Sequence, residues 1–219
     1  MTVLAWQRAG TPGGPAVVLV HAWAADGARD WEVTGWVPRL AAAGFDVLVP
    51  DLPGHGESAD VLLPPEAESA GWTAAVLHHD LAALGPGRVQ AVGYAEGCLV
   101  AGHLAVRAAA SGPDRPDRPA AGDAGPGAGP RAGSGTTGVG SLLLLGADDR
   151  DGLALRDEIA AALRDPASRV WHPEAAEAVA AARADRRHHL PTLATWAERA
   201  AWPAAPRLAA LRIPALLGV

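Results

Sequence analysis

The residues from 88 to 98 constrain the fold of this chain more than any other stretch. A short apolar run ends in Gly93, three residues follow, and Gly97 then opens a long Ala-rich segment. This order predicts a strand, a sharp turn and a helix. The two glycines allow the strand and the helix to approach closely, because no Cβ atom stands between them. The turn has a defined apex, which is Ala95.

Mainly apolar runs recur along the chain, and the run at 16–20 is continuous and rich in β-branched residues. Such runs are typical of strands that are covered on both faces, as in a parallel sheet. They lie at 16–20, 45–49 and 139–145, and one more begins at Ile213. Residues 2–7 could form an additional edge strand.

Helical stretches separate these strands. Helices are predicted at 33–43, at 72–84, from the turn to about residue 110, and at 207–211. Strands that alternate with helices at short intervals indicate βαβ units. The sequence therefore predicts an α/β fold with a mostly parallel sheet and helices on both faces.

Three further helices are expected after the strand at 139–145, with no strand between them. They are predicted at 153–164, 173–187 and 191–201. A helical segment placed in this way between two strands is expected to form a small lid.

A Gly- and Pro-rich stretch at 111–138 contains almost nothing that could enter a core. Such a segment cannot offset the entropy of ordering itself, so we predict a disordered surface insert. The chain is accordingly divided into an α/β core at 1–145 and 204–219, which holds this insert, and a helical cap at 146–203.

Composition narrows the classes of partner. The chain has 219 residues, enough for one domain with a sizeable core, and a net charge of -6 without any run of basic residues. Neither nucleic acid nor an anionic membrane surface is therefore expected, and a small-molecule ligand is the default. The first residues lack the features of a signal peptide, and no apolar segment approaches the roughly 20 residues that span a bilayer. We predict a cytoplasmic protein.

The turn at 93–97 has the spacing of G-x-S-x-G, in which a nucleophilic serine occupies the apex of a strained turn. In this chain the apex is Ala95. A methyl group cannot attack a carbonyl carbon. The sequence thus indicates a catalytic site and, at the same position, the loss of its nucleophile.

Taken together, these features resemble the α/β-hydrolase fold family, in an esterase- or lipase-like form with a helical cap. The resemblance covers nearly the whole chain and rests on five features in the expected order. They are the strand that ends at His21, the loop Asp-Leu-Pro-Gly-His-Gly-Glu-Ser at 51–58, the elbow at 93–97, the cap after Leu145, and Leu-Arg-Ile-Pro at 211–214.

The resemblance implies a set of site residues. The nucleophile position is Ala95, and the oxyanion would be held by the backbone N–H groups of Trp23 and Glu96. Ala22 stands where glycine is common. The family's acid and histidine follow later strands and would lie beyond residue 219, which implies that a C-terminal part is absent. Asp148 could serve as an alternative acid, although capping of the next helix is the favoured interpretation.

Other reactive side chains have simpler interpretations. Glu96 could activate a water molecule, but we expect its side chain to point away along the helix. Cys98 could be acidified by the helix dipole, but a small buried core residue is favoured. His21 and His55 are expected to hold loops, whereas the pairs 78–79 and 188–189 are expected at the surface. No metal-ligand spacing is present, so neither a metal nor a cofactor is predicted.

The function implied by the resemblance is hydrolysis of small carboxylic esters or related acyl compounds with an apolar acyl part. Trp23, Trp171, Trp196 and Trp202 could line the acyl pocket, or could simply fill the core and the lid interface. With Ala95 at the apex, the chain as written is expected to be inactive. The alternative is a pseudoenzyme that keeps the pocket in order to bind a ligand or a partner.

Overall fold

The structure, a computed structural model, describes residues 2–111, 137–146 and 155–218. The strands of the described residues form one sheet in the order β1-β3-β2-β4-β5-β6. β1 runs antiparallel to β3, and every other neighbouring pair is parallel, so the predicted mostly parallel sheet is confirmed. The strands are β1 (Trp6–Gly10), β2 (Ala16–Val20), β3 (Asp46–Pro50), β4 (Arg88–Tyr94), β5 (Gly138–Leu145) and β6 (Ala215–Gly218).

The helices of the described residues follow the predicted order. A π-helical turn at Ala28–Glu32 precedes the first of them, and a 3-10 turn at Gly56–Ser58 precedes the second. They are α1 (Trp36–Ala42), α2 (Ser69–Leu84), α3 (Gly97–Ser111), α4 (Arg156–Arg164), α5 (Pro173–Ala184), α6 (Leu190–Arg199) and α7 (Ala205–Ala209).

Apolar side chains cover both faces of the sheet. Successive residues of a strand point to opposite faces, so each buried strand contributes to two separate cores. On one face Val17 and Leu19 of β2 pack with Trp31 and Val37, on the side of α1. On the other face the core contains residues of β2, β3, α2, α3 and the later helices, among them Val18, Leu48, Leu77, Leu104 and Trp196. Helices on both faces, as predicted, are confirmed.

The first strand begins later than predicted, at Trp6 instead of Thr2. The backbone N–H groups of Val3 and Leu4 donate to the Asp80 carboxylate, at 2.8 and 2.9 Å, and the Trp6 indole donates to the same group at 3.0 Å. Val3 and Leu4 are therefore bound to α2, and β1 begins only at Trp6.

The helices between β5 and β6 pack against the α2 and α3 side of the sheet. Ile159 of α4 and Leu193 of α6 belong to the same buried cluster as α2 and α3. The Ser69 hydroxyl of α2 donates to the Thr195 backbone oxygen of α6 at 3.2 Å. The helical lid of the predicted fold thus lies over one face of the core.

Two predictions fall largely or wholly outside the described residues. The insert predicted at 111–138 lies mostly in the stretch 112–136, and Asp148 lies in 147–154. At the edges of the insert, Ser111 ends α3 and Gly138 begins β5, so these two residues belong to regular elements. The division into core and cap stays a prediction.

Candidate active site

Ala95 lies at a sharp turn between β4 and α3. Its φ angle is 46°, in the left-handed region that residues with a Cβ atom rarely adopt. The turn is held on both sides, because the Ala95 N–H donates to the Leu145 oxygen at 2.8 Å and the Cys98 N–H donates to the Ala95 oxygen at 3.0 Å. The backbone keeps the strained elbow although its apex carries only a methyl group.

The two glycines of the elbow are required by close backbone contacts. A Cβ atom on Gly93 would lie 2.6 Å from the Gly97 oxygen. A Cβ atom on Gly97 would lie 2.5 Å from the backbone oxygens of Val20 and His21. These oxygens cannot move without shifting the central strand β2, so the glycine spacing seen in the sequence follows from the packing of α3 onto the sheet.

The loop after β2 faces the elbow, and its backbone N–H groups are held by side chains of the protein itself. Ala24 in this loop has a φ angle of 58°, so this segment is strained as well. The bonds run from Ala22 N–H to Asp30 Oδ2 at 2.8 Å, from Trp23 N–H to Glu96 Oε2 at 3.4 Å, and from Ala24 N–H to His55 Nε2 at 3.2 Å.

The Glu96 side chain turns back toward the loop after β2. It accepts from the Trp23 N–H instead of pointing away along the helix, so our expectation for its direction was wrong. Burial raises the pKa of the Glu96 carboxyl and the nearby Asp30 adds to the rise, whereas hydrogen bonds from the N–H groups of Glu96 itself and of Trp23 oppose it. The two N–H groups assigned to the oxyanion therefore both interact with this carboxyl group.

His21 and His55 are fully buried, and their rings hold the neighbouring loops in place. His21 Nε2 accepts from the Leu52 N–H at 2.9 Å, and its Nδ1 lies 2.7 Å from the Ala22 oxygen. His55 Nδ1 lies 2.9 Å from the Pro53 oxygen, while its Nε2 accepts from Ala24. Burial lowers the pKa of both imidazoles. With both ring nitrogens engaged, neither side chain is available as a general base.

His188 is buried, so the prediction that this pair lies at the surface is wrong for it. Its ring centroid lies 5.4 Å from that of His55. The turn between α5 and α6 packs onto the 51–58 loop, because the His189 N–H donates to the Gly54 oxygen at 2.9 Å. It also reaches the loop after β2, where Arg187 pairs with Asp26. This long-range docking leaves no signal in the local sequence.

Cys98 is a buried residue beneath the elbow, in line with the favoured interpretation. Its thiol donates to the Gly93 oxygen at 3.2 Å. Burial raises the pKa of this thiol to about 12. A thiol with this pKa is not ionised at neutral pH, so the group has no nucleophilic role.

The tryptophans divide into two groups. Trp23 and Trp196 are buried, whereas Trp171 and Trp202 are 71% and 40% exposed. The Trp23 indole N–H donates to the Leu193 oxygen of α6 at 3.2 Å, which joins the loop after β2 to the helical lid. For Trp23 and Trp196 the structure places the rings in the core and at the lid interface.

Two further features lie away from the elbow. A cavity of about 340 Å³ opens at the amino ends of the parallel strands and is lined in part by Arg8, Asp46 and Arg88. The Arg8 guanidinium is already bound to the Asp46 carboxylate at 2.6 and 2.8 Å. In the part of the chain that the structure describes, no three His, Cys, Asp or Glu side chains group as a metal site. No helix there is both long and apolar enough to cross a membrane.

A mostly parallel sheet, a strained strand–elbow–helix turn and a facing loop with inward N–H groups define a protein of the α/β-hydrolase class. The chain belongs to the alpha/beta hydrolase family, whose family model matches residues 17–217.

One curated relative matches a short part of this chain. A curated "AB hydrolase superfamily protein" of Gibberella zeae is 36% identical over 56 residues, which is 26% of this chain and 19% of that protein. The match thus covers about a fifth of the relative's length.

Solved structures resemble the chain over almost its whole length. A hydrolase from Pseudomonas aeruginosa PA01 has a TM-score of 0.62 at 20% identity, over 98% of this chain and 74% of that one. An esterase from Exiguobacterium antarcticum has a TM-score of 0.60 at 16% identity, over 98% and 75%. The epoxide hydrolase CorEH has a TM-score of 0.54 at 17% identity, over 98% and 77%. At these identities the likeness concerns the fold.

Proposed function

We propose that the elbow and the facing loop form an acyl-ester site from which the nucleophile is missing. Its natural ligand class is a small carboxylic ester or related acyl compound with an apolar acyl part. The observation that carries the proposal is the methyl group of Ala95 at an apex with φ 46°. The backbone has the strained geometry that presents a nucleophile, while the side chain cannot perform the attack.

The chemistry explains why the atom at position 95 is required for the acyl-enzyme route, together with the histidine and the acid that the family resemblance implies. A serine oxygen at position 95 would bond to the ester carbonyl carbon while a general base takes its proton. That proton would pass to the alcohol as it leaves, and water, activated by the same base, would then release the acid. Without that oxygen no acyl-enzyme forms, and only residual rate enhancement from binding remains. The fold likeness to an esterase supports ester chemistry, and the buried state of Cys98 supports the absence of a replacement nucleophile.

Hydrolysis of p-nitrophenyl butanoate tests the proposal, in a protein that also carries the histidine and the acid that the family resemblance implies. We expect no turnover above background for the unmodified protein, and measurable turnover for Ala95→Ser or for Ala95→Ser combined with Glu96→Ala. Ala109→Ser is the matched control, because Ala109 is exposed on α3. It is expected to stay at background. Turnover by the unmodified protein equal to that of Ala95→Ser would contradict the proposal.

A second candidate is a noncatalytic protein that binds a ligand or a partner. The favouring observation is that the N–H groups of the loop at 22–24 are held by the protein's own side chains. A site arranged in this way has no free group for a developing oxyanion. If both serine variants are folded and neither hydrolyses the ester, the result would favour this second function.

A further inference from the structure

We propose that the Glu96 carboxylate is an internal ligand of the oxyanion pocket, formed by the backbone N–H groups of Trp23 and Glu96, and that it excludes carboxylate and ester ligands. Glu96 is therefore a specificity-determining residue, and its effect is separate from the missing nucleophile at Ala95. The inference rests on the proposed function for the position of the pocket.

The contacts place an acidic side chain where a ligand oxygen would bind. Glu96 Oε2 accepts from the Trp23 N–H at 3.4 Å, and the carboxyl group also interacts with the backbone N–H of Glu96. In the hydrolase mechanism these donors hold the oxygen of the acyl group. A ligand oxygen and the Glu96 carboxylate cannot occupy this position together.

The neighbouring N–H groups offer no substitute. The Ala22 N–H is bound to Asp30 at 2.8 Å, and the Ala24 N–H is bound to the buried ring of His55 at 3.2 Å. The Ala95 N–H is used by β5, through the Leu145 oxygen at 2.8 Å. A ligand oxygen must therefore displace Glu96.

Charge adds to the exclusion. Asp30 lies close enough to the Glu96 carboxyl to act on it electrostatically, so two acidic groups border the pocket. A ligand carboxylate would meet like charges as well as an occupied donor. The bond to Trp23 is long compared with an ordinary N–H···O distance of about 2.9 Å. Because it is weak, removal of the side chain should cost little stability while it frees both donors.

The decisive variant is Glu96→Ala, which keeps both N–H groups since they belong to the main chain. Glu177→Ala removes the same charge from an exposed position on α5 and serves as the matched control. Sodium butanoate is the probe, titrated at neutral pH into the three full-length proteins with Ala95 in place. Binding is followed by isothermal titration calorimetry, and a thermal melt confirms that each protein is folded.

We expect Glu96→Ala to bind butanoate at least about tenfold more tightly than the unmodified protein and Glu177→Ala, as two charge-assisted hydrogen bonds become available. Equal affinity in all three proteins, or no binding by folded Glu96→Ala, would overturn the inference.

A kinetic comparison separates this inference from the proposed function. Ala95→Ser with Glu96→Ala should hydrolyse p-nitrophenyl butanoate at least about tenfold faster than Ala95→Ser alone, because an oxyanion donor contributes on the order of 10²-fold or more. Equal, measurable rates would leave the ester function standing and remove the role of Glu96. Tighter butanoate binding without hydrolysis by either variant would support the role of Glu96 and count against the ester function.

Discussion

At the scale of single residues, Gly97 shows how closely the elbow is packed onto the sheet. Its Cα faces the backbone of β2, and any Cβ atom there meets two carbonyl oxygens at 2.5 Å. Neither oxygen belongs to a flexible side chain. The position therefore tolerates hydrogen alone, whatever residue occupies the apex at 95.

We predict that Gly97→Ala lowers the free energy of unfolding by about 2–3 kcal/mol, since overpacking against a fixed backbone shifts α3 or β2. Urea unfolding followed by circular dichroism measures the change. Gly87→Ala is the control, because a Cβ atom at Gly87 meets nothing within 4 Å. It should change the stability by less than about 0.5 kcal/mol. Two equally stable variants would show that the elbow packs more loosely than described.

At the scale of elements, the antiparallel edge of the sheet depends on an ion pair across two strands. Arg8 of β1 donates two hydrogen bonds to the buried Asp46 carboxylate of β3. The hydrogen bond from Arg8 lowers the pKa of Asp46. The carboxylate thus favours the folded state while it is ionised, and its contribution is complete above about pH 3.9, the unfolded value.

We predict that Asp46→Asn destabilises the protein by about 1 kcal/mol at pH 7, a modest effect because solvent screens the partly exposed Arg8. The direction of the pH dependence follows from the lowered pKa of Asp46. The contribution of Asp46 is lost as pH falls through its folded pKa, so the difference between the two proteins should shrink below about pH 4. Chemical unfolding at pH 7 and pH 3 measures it. The exposed Asp60→Asn is the control, and a difference that is the same at both pH values would refute the assignment.

At the scale of the whole molecule, the lid is joined to the core through the loops that border the site. The Trp23 indole N–H donates to a backbone oxygen of α6, and the Gly54 oxygen accepts from the His189 N–H. The rings of His55 and His188 lie in contact. His55 therefore lies at the junction of both parts. Its burial against two other imidazoles holds its pKa well below the usual range.

We predict that acid weakens this junction as soon as pH falls below about 6.5. There the unfolded chain binds a proton on His55 that the folded protein does not, so stability declines by up to about 1.4 kcal/mol per pH unit for each such histidine. His55→Gln should reduce the slope of melting temperature against pH between 6.5 and 5. His79→Gln, at an exposed position, should keep it. An unchanged slope in His55→Gln would contradict the prediction.

Local sequence patterns determined most of the architecture. The apolar run at 16–20 became β2, and residues 47–49 became the buried centre of β3, because a strand covered on both faces needs mainly apolar residues. The glycines at 93 and 97 predicted the elbow, since their spacing reflects a steric requirement. The sequence alone also identified Ala95 as the residue at the apex. Each of these signals lies within a few residues of the structure that it specifies.

Tertiary contacts decided what surrounds the apex. Glu96 meets Trp23 across 73 positions of sequence, so no local pattern could indicate that its side chain turns back toward the loop after β2. His188 is buried because its turn docks onto a loop more than 130 residues earlier. The chain before Trp6 binds Asp80 of α2 instead of extending β1. Sequence periodicity records which face of an element is buried. It does not record which distant group a polar side chain will find there, because that depends on how the elements pack.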